Sequence, residues 1–381
     1  MRALPPSSCD VAVIGAGPAG SALAALLARR GRSVALLEKD VLPRDKLCGE
    51  FLSPEAQGAL ARIGCLDAVR ARAPARMAEA RLFPPRGRPA TVPLGGEALG
   101  LSRAALDEVL FRHAAACGAA ALDGTRARVE GEDGPGTEVV CGPGAEGTRV
   151  AARCVVAAWG RRTSGGGLAA VKRHHRPRGG AAGEEVRRAL VGRVELHVFN
   201  GGYCGLSFVE GGVVNVCALL EPGFLRAMPA PRWEGARRAL AAASPSLARR
   251  LEGLEPCSEG FLAVAGVEVG AVGASRGSLF LVGDAAGMIA PLCGDGMAAA
   301  LESAERLAGL LEPPPATAEE LRRALASWED EWRAAFHRRL AWSAALQGLM
   351  ARPALAGAAM AAVRRVPALG RALVRVTRGE G

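Results

Sequence analysis

Apolar residues fall along this chain in two rhythms. Val11 to Ile14 is an unbroken apolar run, as a parallel strand buried on both faces requires. A glycine-rich turn follows, then an alanine- and leucine-rich helix, Ser21 to Arg30, stopped by Gly31. A second buried strand, Ser33 to Leu37, ends at Glu38, and Gly277 to Asp284 repeats that strand-then-acid rhythm. Elsewhere the period is two. Ala75 to Pro93 predicts paired strands around Pro84-Pro85-Arg86-Gly87, and more strands run from Ala119 to Ala157. Val191 to Phe199, Tyr203 to Val209 and Val213 to Leu220 predict three further strands, the last two turned by Gly211-Gly212. Helical patterns cover Glu55 to Ala73, Ala104 to Ala116 with Ser102 as N-cap, and Trp233 to Leu251. From Gly296 the pattern is helical, interrupted by Pro313-Pro314-Pro315. Arg162 to Gly183 shows neither rhythm and reads as a flexible basic region.

The two rhythms interleave. The apolar strands fit a nucleotide-type parallel sheet over 1–74, 98–164 and 266–312. The alternating strands, 75–97 and 165–265, fit an antiparallel sheet buried on one face and inserted into the first domain. Residues 313–381 read as a C-terminal helical segment, and the ligand site is expected between the domains.

The turn after Ile14, Gly15-Ala16-Gly17-Pro18-Ala19-Gly20, matches G-x-G-x-x-G. Gly15 allows the tight turn, Gly17 lets a pyrophosphate touch backbone, and Gly20 lets helix pack on strand. The helix N-terminus offers free N–H groups and a positive dipole end. Glu38, 18 positions past Gly20, stands where an acid grips a ribose hydroxyl. A carboxylate there repels a 2′-phosphate, which argues against NADP in this site. Gly142 to Gly147 matches the same pattern, but strands flank it and no helix follows, so it reads as a hairpin loop. A second anchor is Gly283-Asp284-Ala285-Ala286-Gly287, then Pro291 and Gly294-Asp295-Gly296-Met297. An acid at a strand end accepts from ribityl hydroxyls, and the helix start at Gly296 suits the negative edge of a reduced flavin.

Composition narrows the partners. The net charge is +10, but the arginines are scattered and there is one tyrosine, so nucleic acid is not an expected partner. Half the residues are hydrophobic and 4% aromatic, so alanine and glycine fill the core, as a GC-rich coding background produces. Ten cysteines stand singly with no C-x-x-C pair, which argues against a metal site and for reduced thiols in a cytoplasmic protein. The run Val11 to Ala28 is long enough to span a membrane, but its glycines and Pro18 fit the nucleotide fold. A soluble protein is the expectation.

VIGAGPAGS with Glu38, PRDKLCG, LGLSRAALDEVL and GDAAGMIAPLCGDGM together resemble the FAD-dependent oxidoreductases that include p-hydroxybenzoate hydroxylase and the geranylgeranyl reductases. The likeness covers most of residues 9–310. It implies an α/β fold with a Rossmann-like FAD-binding domain of the glutathione reductase type, an inserted antiparallel-sheet substrate domain and C-terminal helices. It implies FAD held by Gly15, Gly17, Ala19 and Gly20, with Glu38 and Lys39 beyond them. Arg44, Cys48 and Gly49 come from the loop that approaches the isoalloxazine, with Arg103 near the phosphates and Gly160 beyond. Gly283 and Asp284 stand near the ribityl chain, followed by Pro291, Gly294, Gly296 and Met297. Two departures stand out. Trp159 replaces the usual Asp before Gly160, and Gly287 replaces a usual histidine. The first bears on how NAD(P)H, the implied electron donor, is handled; Lys172 to Arg176 reads as a solvated basic face that attracts its phosphates.

Three residues are candidates for chemistry: Cys48 beside the ring, His197 on a strand face with Glu195 and Phe199, and the lone Tyr203. Each also has a plain packing role open to it. Cys293 is expected only as a neighbour of the ring, and Pro353 to Arg378 is expected to pack on the FAD domain rather than touch a membrane. The leading expectation is a monooxygenase hydroxylating a hydrophobic aromatic or polyketide-like molecule. The alternative is reduction of carbon–carbon double bonds in a prenyl or polyene lipid. Flavin halogenases share the PR-x-x-x-x-GE loop but need a lysine beyond it, and none occurs between Lys46 and Lys172. Rab escort and GDP-dissociation-inhibitor proteins share the fold without flavin chemistry, and intact motifs at both ends argue against that class.

Overall fold

The computed structural model describes residues 4–130, 137–142, 147–161, 163–226 and 233–377. The chain opens with β1 (Ser8–Ile14), α1 (Pro18–Arg29) and β2 (Val34–Leu37). β1 starts before the apolar run because Ser8 and Cys9 pair in parallel with Ala151 and Ala152; the Asp10 and Ser33 amides each bond the other's side chain, at 2.8 and 3.0 Å. After β3 (Phe51–Leu52) come α2 (Pro54–Ile63) and α3 (Leu66–Arg70), two helices where the pattern suggested one. Gly64, at φ +90°, ends the first of them in the left-handed conformation. β4 (Ala75–Phe83) and β5 (Ala90–Gly100) form the predicted pair. α4 (Arg103–Ala116) is capped by Ser102, whose hydroxyl accepts from the Ala105 amide at 3.1 Å.

β6 (Ala120–Leu122), β7 (Ala127–Glu130), β8 (Thr137–Cys141) and β9 (Thr148–Ala157) follow. β8 and β9 pair antiparallel with Cys141 opposite Thr148, so the second glycine motif joins a hairpin; its Pro143 to Glu146 lie outside the described residues. The expected flexible region is instead β10 (Thr163–Pro177), fifteen residues long, and the start of α5 (Gly180–Leu190). β10 pairs with strands from three other segments, β13, β14 and β15 (ranges below), so tertiary contacts make the strand that local pattern lacks. Then come β11 (Gly192–Phe199), β12 (Gly202–Phe208), β13 (Val214–Leu220) and α6 (Pro222–Arg226). The long helix expected next is α7 (Trp233–Ala243) and α8 (Pro245–Glu252). Pro245 disfavours helix at Ser244, which instead caps α8.

β14 (Leu254–Pro256), β15 (Leu262–Val267), β16 (Gly270–Ala271), β17 (Ser275–Arg276) and β18 (Leu279–Leu281) lead to α9 (Gly296–Leu310). The chain ends in α10 (Ala318–Met350), α11 (Pro353–Arg365) and α12 (Pro367–Thr377).

Two sheets organise these elements. In the first, β18, β9, β1, β2 and β6 run parallel in that order. The second has the order β14-β10-β13-β12-β11-β4-β5-β3. It is antiparallel except that β11 pairs parallel with β4, because these two come from separate segments and no hairpin dictates their direction. The largest apolar core joins the first sheet, α1, α4, α9 and the Trp328, Trp332 and Phe336 side chains of α10. α11 and α12 lie against β5 of the second sheet, and not on the first domain as the sequence suggested.

Candidate functional site

A cavity of about 470 Å³ runs from the start of α1 to the inner face of the second sheet. At its first end the three glycines separate by function. Gly15 sits at φ +108° and an added Cβ falls 2.4 Å from the Ala158 carbonyl oxygen. At Gly20 it falls 1.9 Å from the Gly15 oxygen. Both are demanded by the protein's own packing. At Gly17 an added Cβ meets only the Arg103 guanidinium at 3.6 Å, so the space there faces the cavity. No side chain caps α1, which leaves its first N–H groups open to an anion.

Cationic groups gather at this end. Asp107, one helical turn after Arg103, takes both arms of that guanidinium at 2.8 Å, and Arg44 at 2.6 Å. Arg44 also bonds Glu38 at 2.9 Å. The Glu38 carboxylate further accepts the Ala16 and Asp40 amides at 2.9 and 3.1 Å. Burial pushes its pKa up, but Arg44 and these amides outweigh burial and hold it below the usual range. Glu38 thus stays ionised beside the turn, while Lys39 is exposed. Lys46 lines the cavity, and burial together with Arg44 and Arg103 brings it down to about 8.

The loop between β2 and β3 is held by three successive carbonyls. Lys172 donates to Lys46 at 3.0 Å, Arg161 to Leu47 at 3.1 Å, and Asn215 to Cys48 at 3.0 Å. Glu50 lies buried beneath it at φ +56°. It pairs with Lys172, bonds His174 at 2.6 Å and accepts the Arg103 amide at 2.8 Å. Asp45 stands nearby, 3.6 Å from Lys172 and 3.9 Å from His174. This overturns the solvated basic face. Lys172 is 2% exposed and its charge is spent on Glu50; Arg173 and His175 are also buried, and Arg176 alone of the run is exposed. The Asp45–Glu50–His174 group already holds a cation, the Lys172 ammonium.

The other motif closes the cavity from the opposite side. Gly160, Gly283, Asp284, Pro291, Gly294, Gly296 and Met297 all line it. Asp284 has no hydrogen-bond donor among the described residues, and burial raises its pKa. α9 begins at Gly296 without a side-chain cap. Asp295, which would weaken the positive end of that helix, is neutralised by the buried Arg339 of α10.

The far end of the cavity is apolar. Leu82, Val92, Val198, Leu292, Met350 and Met360 pack around Tyr203. The Tyr203 hydroxyl is buried and unpartnered, and burial pushes the phenol well above its usual pKa. Cys48 and Cys293 line the cavity. His197 does not reach it. On β11, Val194, Leu196 and Val198 face the cavity, so the odd positions face α8. There His197 bonds Ser246 at 2.9 Å and Glu195 at 3.2 Å and stacks on Phe83 at 4.3 Å. The residues sequence reasoning missed are Asp107, Lys46, Glu50, Arg161, Asn215 and Arg339. Lys46 and Glu50 lie within the PRDKLCGE loop, and Asp107 left a local signal in its spacing of four from Arg103; the other three left none.

Fold and site define a flavoprotein architecture built on an adenine-dinucleotide turn. Residues 8–176 match the family model described as an FAD binding domain. A stretch of 55 residues is 54% identical to menaquinone reductase of Mycolicibacterium smegmatis, covering 14% of this chain and 13% of that protein. Over 127 residues the chain is 35% identical to the flavin-dependent halogenase armH1 of Armillaria mellea, covering 32% and 24%. These matches span about a quarter or less of the relatives' own lengths. The flavoprotein/dehydrogenase of Cytophaga hutchinsonii superposes with a TM-score of 0.79 at 21% identity, over 97% of this chain and 92% of that one. The chain therefore carries an FAD-binding domain within a flavoprotein fold. The residues present fit FAD. Gly17 leaves room for the pyrophosphate, Lys46 and Arg103 answer its charge, and Asp284 offers an unpaired acceptor for ribityl hydroxyls.

Lys46 gives this fit a pH signature. A phosphate stabilises the ammonium, so its pKa in the complex is higher than about 8. FAD affinity is therefore full below about 8 and falls as pH rises through it. Titrating apoprotein with FAD at pH 7 and pH 9.5 should show weaker binding at the higher pH, and Lys46→Met should flatten the difference. Equal affinities in the native protein would mean that Lys46 does not face the phosphates.

Proposed function

We propose that this protein is an FAD-dependent monooxygenase that hydroxylates a hydrophobic aromatic or polyketide-like small molecule, with NAD(P)H as electron donor. The observation that carries the reading is the unpartnered Tyr203 hydroxyl in an otherwise apolar cavity end. FAD, when bound, supplies the redox chemistry that transfers an oxygen atom from O₂. The chain supplies dryness and position. Leu82, Val92, Val198, Met350 and Met360 exclude water from the reacting end. Leaving the Tyr203 hydroxyl unbonded costs about 1–3 kcal/mol, which a polar group on the substrate recovers by accepting its hydrogen bond. The chain has three lysines. Lys39 is exposed, Lys46 is among the phosphate-side arginines, and Lys172 is paired with Glu50. None of them is at the Tyr203 end, which disfavours halogenation.

A second reading, reduction of a carbon–carbon double bond, is favoured by Cys48 on the cavity wall and by the match to a menaquinone reductase. Cys48→Ser separates the two. For a monooxygenase the loop need only shape the cavity, so turnover should stay within about tenfold, ~1.4 kcal/mol of barrier. For a reductase the thiol acts as proton donor, and its loss should cost ~10²–10⁴-fold. We expect the smaller effect, and product carrying ¹⁸O when turnover runs under ¹⁸O₂. Unlabelled product with the larger loss would replace the monooxygenase reading by the reductase.

A further inference from the structure

The last three helices close the cavity with their inner sides and leave an unusual outer side in solvent. Leu346 and Met350 of α10, Met360 of α11 and Val374 of α12 line the apolar end. On the outside, Trp342 is 55% exposed, Leu355 41%, Val366 48% and Leu369 48%. These are four of the nine large hydrophobic side chains exposed among the described residues, gathered in one short stretch. Between them the exposed positions are mostly small, among them Ala344, Ala345, Gly348 and Ala354.

Charge on the same stretch has one sign. From His337 to Thr377 there is no Asp or Glu, against seven arginines. Arg339 is spent inside on Asp295 and Glu302. The other six, Arg338, Arg352, Arg364, Arg365, Arg371 and Arg375, are exposed, and none has an ion-pair partner among the described residues. A surface that served only solubility would mix signs and avoid an exposed tryptophan. Tryptophan and aliphatic side chains partition into the headgroup boundary, and arginine is drawn to anionic lipid.

We propose that α10, α11 and α12 dock this protein on the surface of an anionic lipid bilayer. The docking is peripheral. Among the described residues no single helix is long and apolar enough to cross a membrane, and the pair α10 and α11, which passes together by length and composition, is bent by 108°. Trp332, Phe336 and Arg339 of α10 are committed to the protein interior, so this helix lies on the bilayer instead of entering it. The helices that touch lipid would be those that wall the apolar cavity, which gives a lipid-dissolved molecule the shortest path to it.

The test uses the full chain with sedimented vesicles, either pure phosphatidylcholine or an equal mixture with phosphatidylglycerol. Binding should appear on the mixed vesicles at low salt and weaken as salt rises. The double variant Arg365→Glu/Arg371→Glu should bind them about 25-fold or more weakly, roughly fivefold for each arginine lost. Trp342→Ala/Leu355→Ala keeps every charge and should also bind several-fold more weakly. All four positions are exposed, so circular dichroism should match the unaltered protein. Failure of the unaltered protein to bind mixed vesicles at low salt overturns the proposal. So does equal binding by both variants, or equal binding to the two kinds of vesicle with no salt dependence.

Discussion

Glu50→Gln is expected to lower folding stability by about 3 kcal/mol at pH 7, because it leaves the buried Lys172 ammonium with only the half-exposed Asp45 carboxylate, 3.6 Å away, as counter-charge. The amide keeps the shape and, through its oxygen, the hydrogen bond from the Arg103 amide, so the loss reads the charge together with the altered bond to His174. Burial pushes the Glu50 carboxyl up, but the His174 hydrogen bond and Lys172 hold it below the usual carboxylate range. A depressed carboxylate stabilises above its unfolded pKa and loses that stabilisation as pH falls through its folded one. The gap between native protein and variant should therefore be widest at neutral pH and close in acid. Urea unfolding at pH 7 and in acid checks both statements. A difference under about 1 kcal/mol at pH 7 would mean that water reaches Lys172. Glu50→Leu combined with Lys172→Met should recover only part of the loss: the apolar pair removes the buried charge, but the Arg103 amide and His174 lose their acceptor.

Gly17→Val should leave the fold intact and remove FAD. The backbone at Gly17 has φ −79° and ψ −173°, extended values that valine adopts, and its Cβ meets only a guanidinium at 3.6 Å. The side chain fills space that the pyrophosphate needs, and the close approach of phosphate to backbone N–H is lost. We expect at least about a hundredfold weaker FAD binding, roughly 2.7 kcal/mol, with a colourless purified protein and little change in thermal midpoint. Gly20→Val makes the contrast: its Cβ falls 1.9 Å from the Gly15 oxygen, so it should fail to fold with or without FAD. A yellow Gly17→Val protein would show that the cofactor is held elsewhere.

What the chain determines locally was readable from it. The turn from Gly15 to Gly20, the strands on either side and Glu38 lie within one contiguous stretch, where glycine sterics and apolar runs act over a few residues. Ser102 as a cap and the β8–β9 hairpin at the second glycine motif are local for the same reason. Tertiary structure decided the rest. Lys172 to Arg176 looks like a solvated run in one dimension; only pairing of β10 with β13, β14 and β15 buries Lys172, Arg173 and His175, and only the fold brings Glu50 to meet Lys172. The period of two put His197 and Glu195 on one face of β11 but did not say which face, and α8 took that side while the cavity took the other. Arg339 answers Asp295 across 44 residues, and the sequence between them carries no trace of that meeting. Periodicity reports which residues share a face; what covers the face depends on chain segments brought together only by folding, and there the charges of this site were paired.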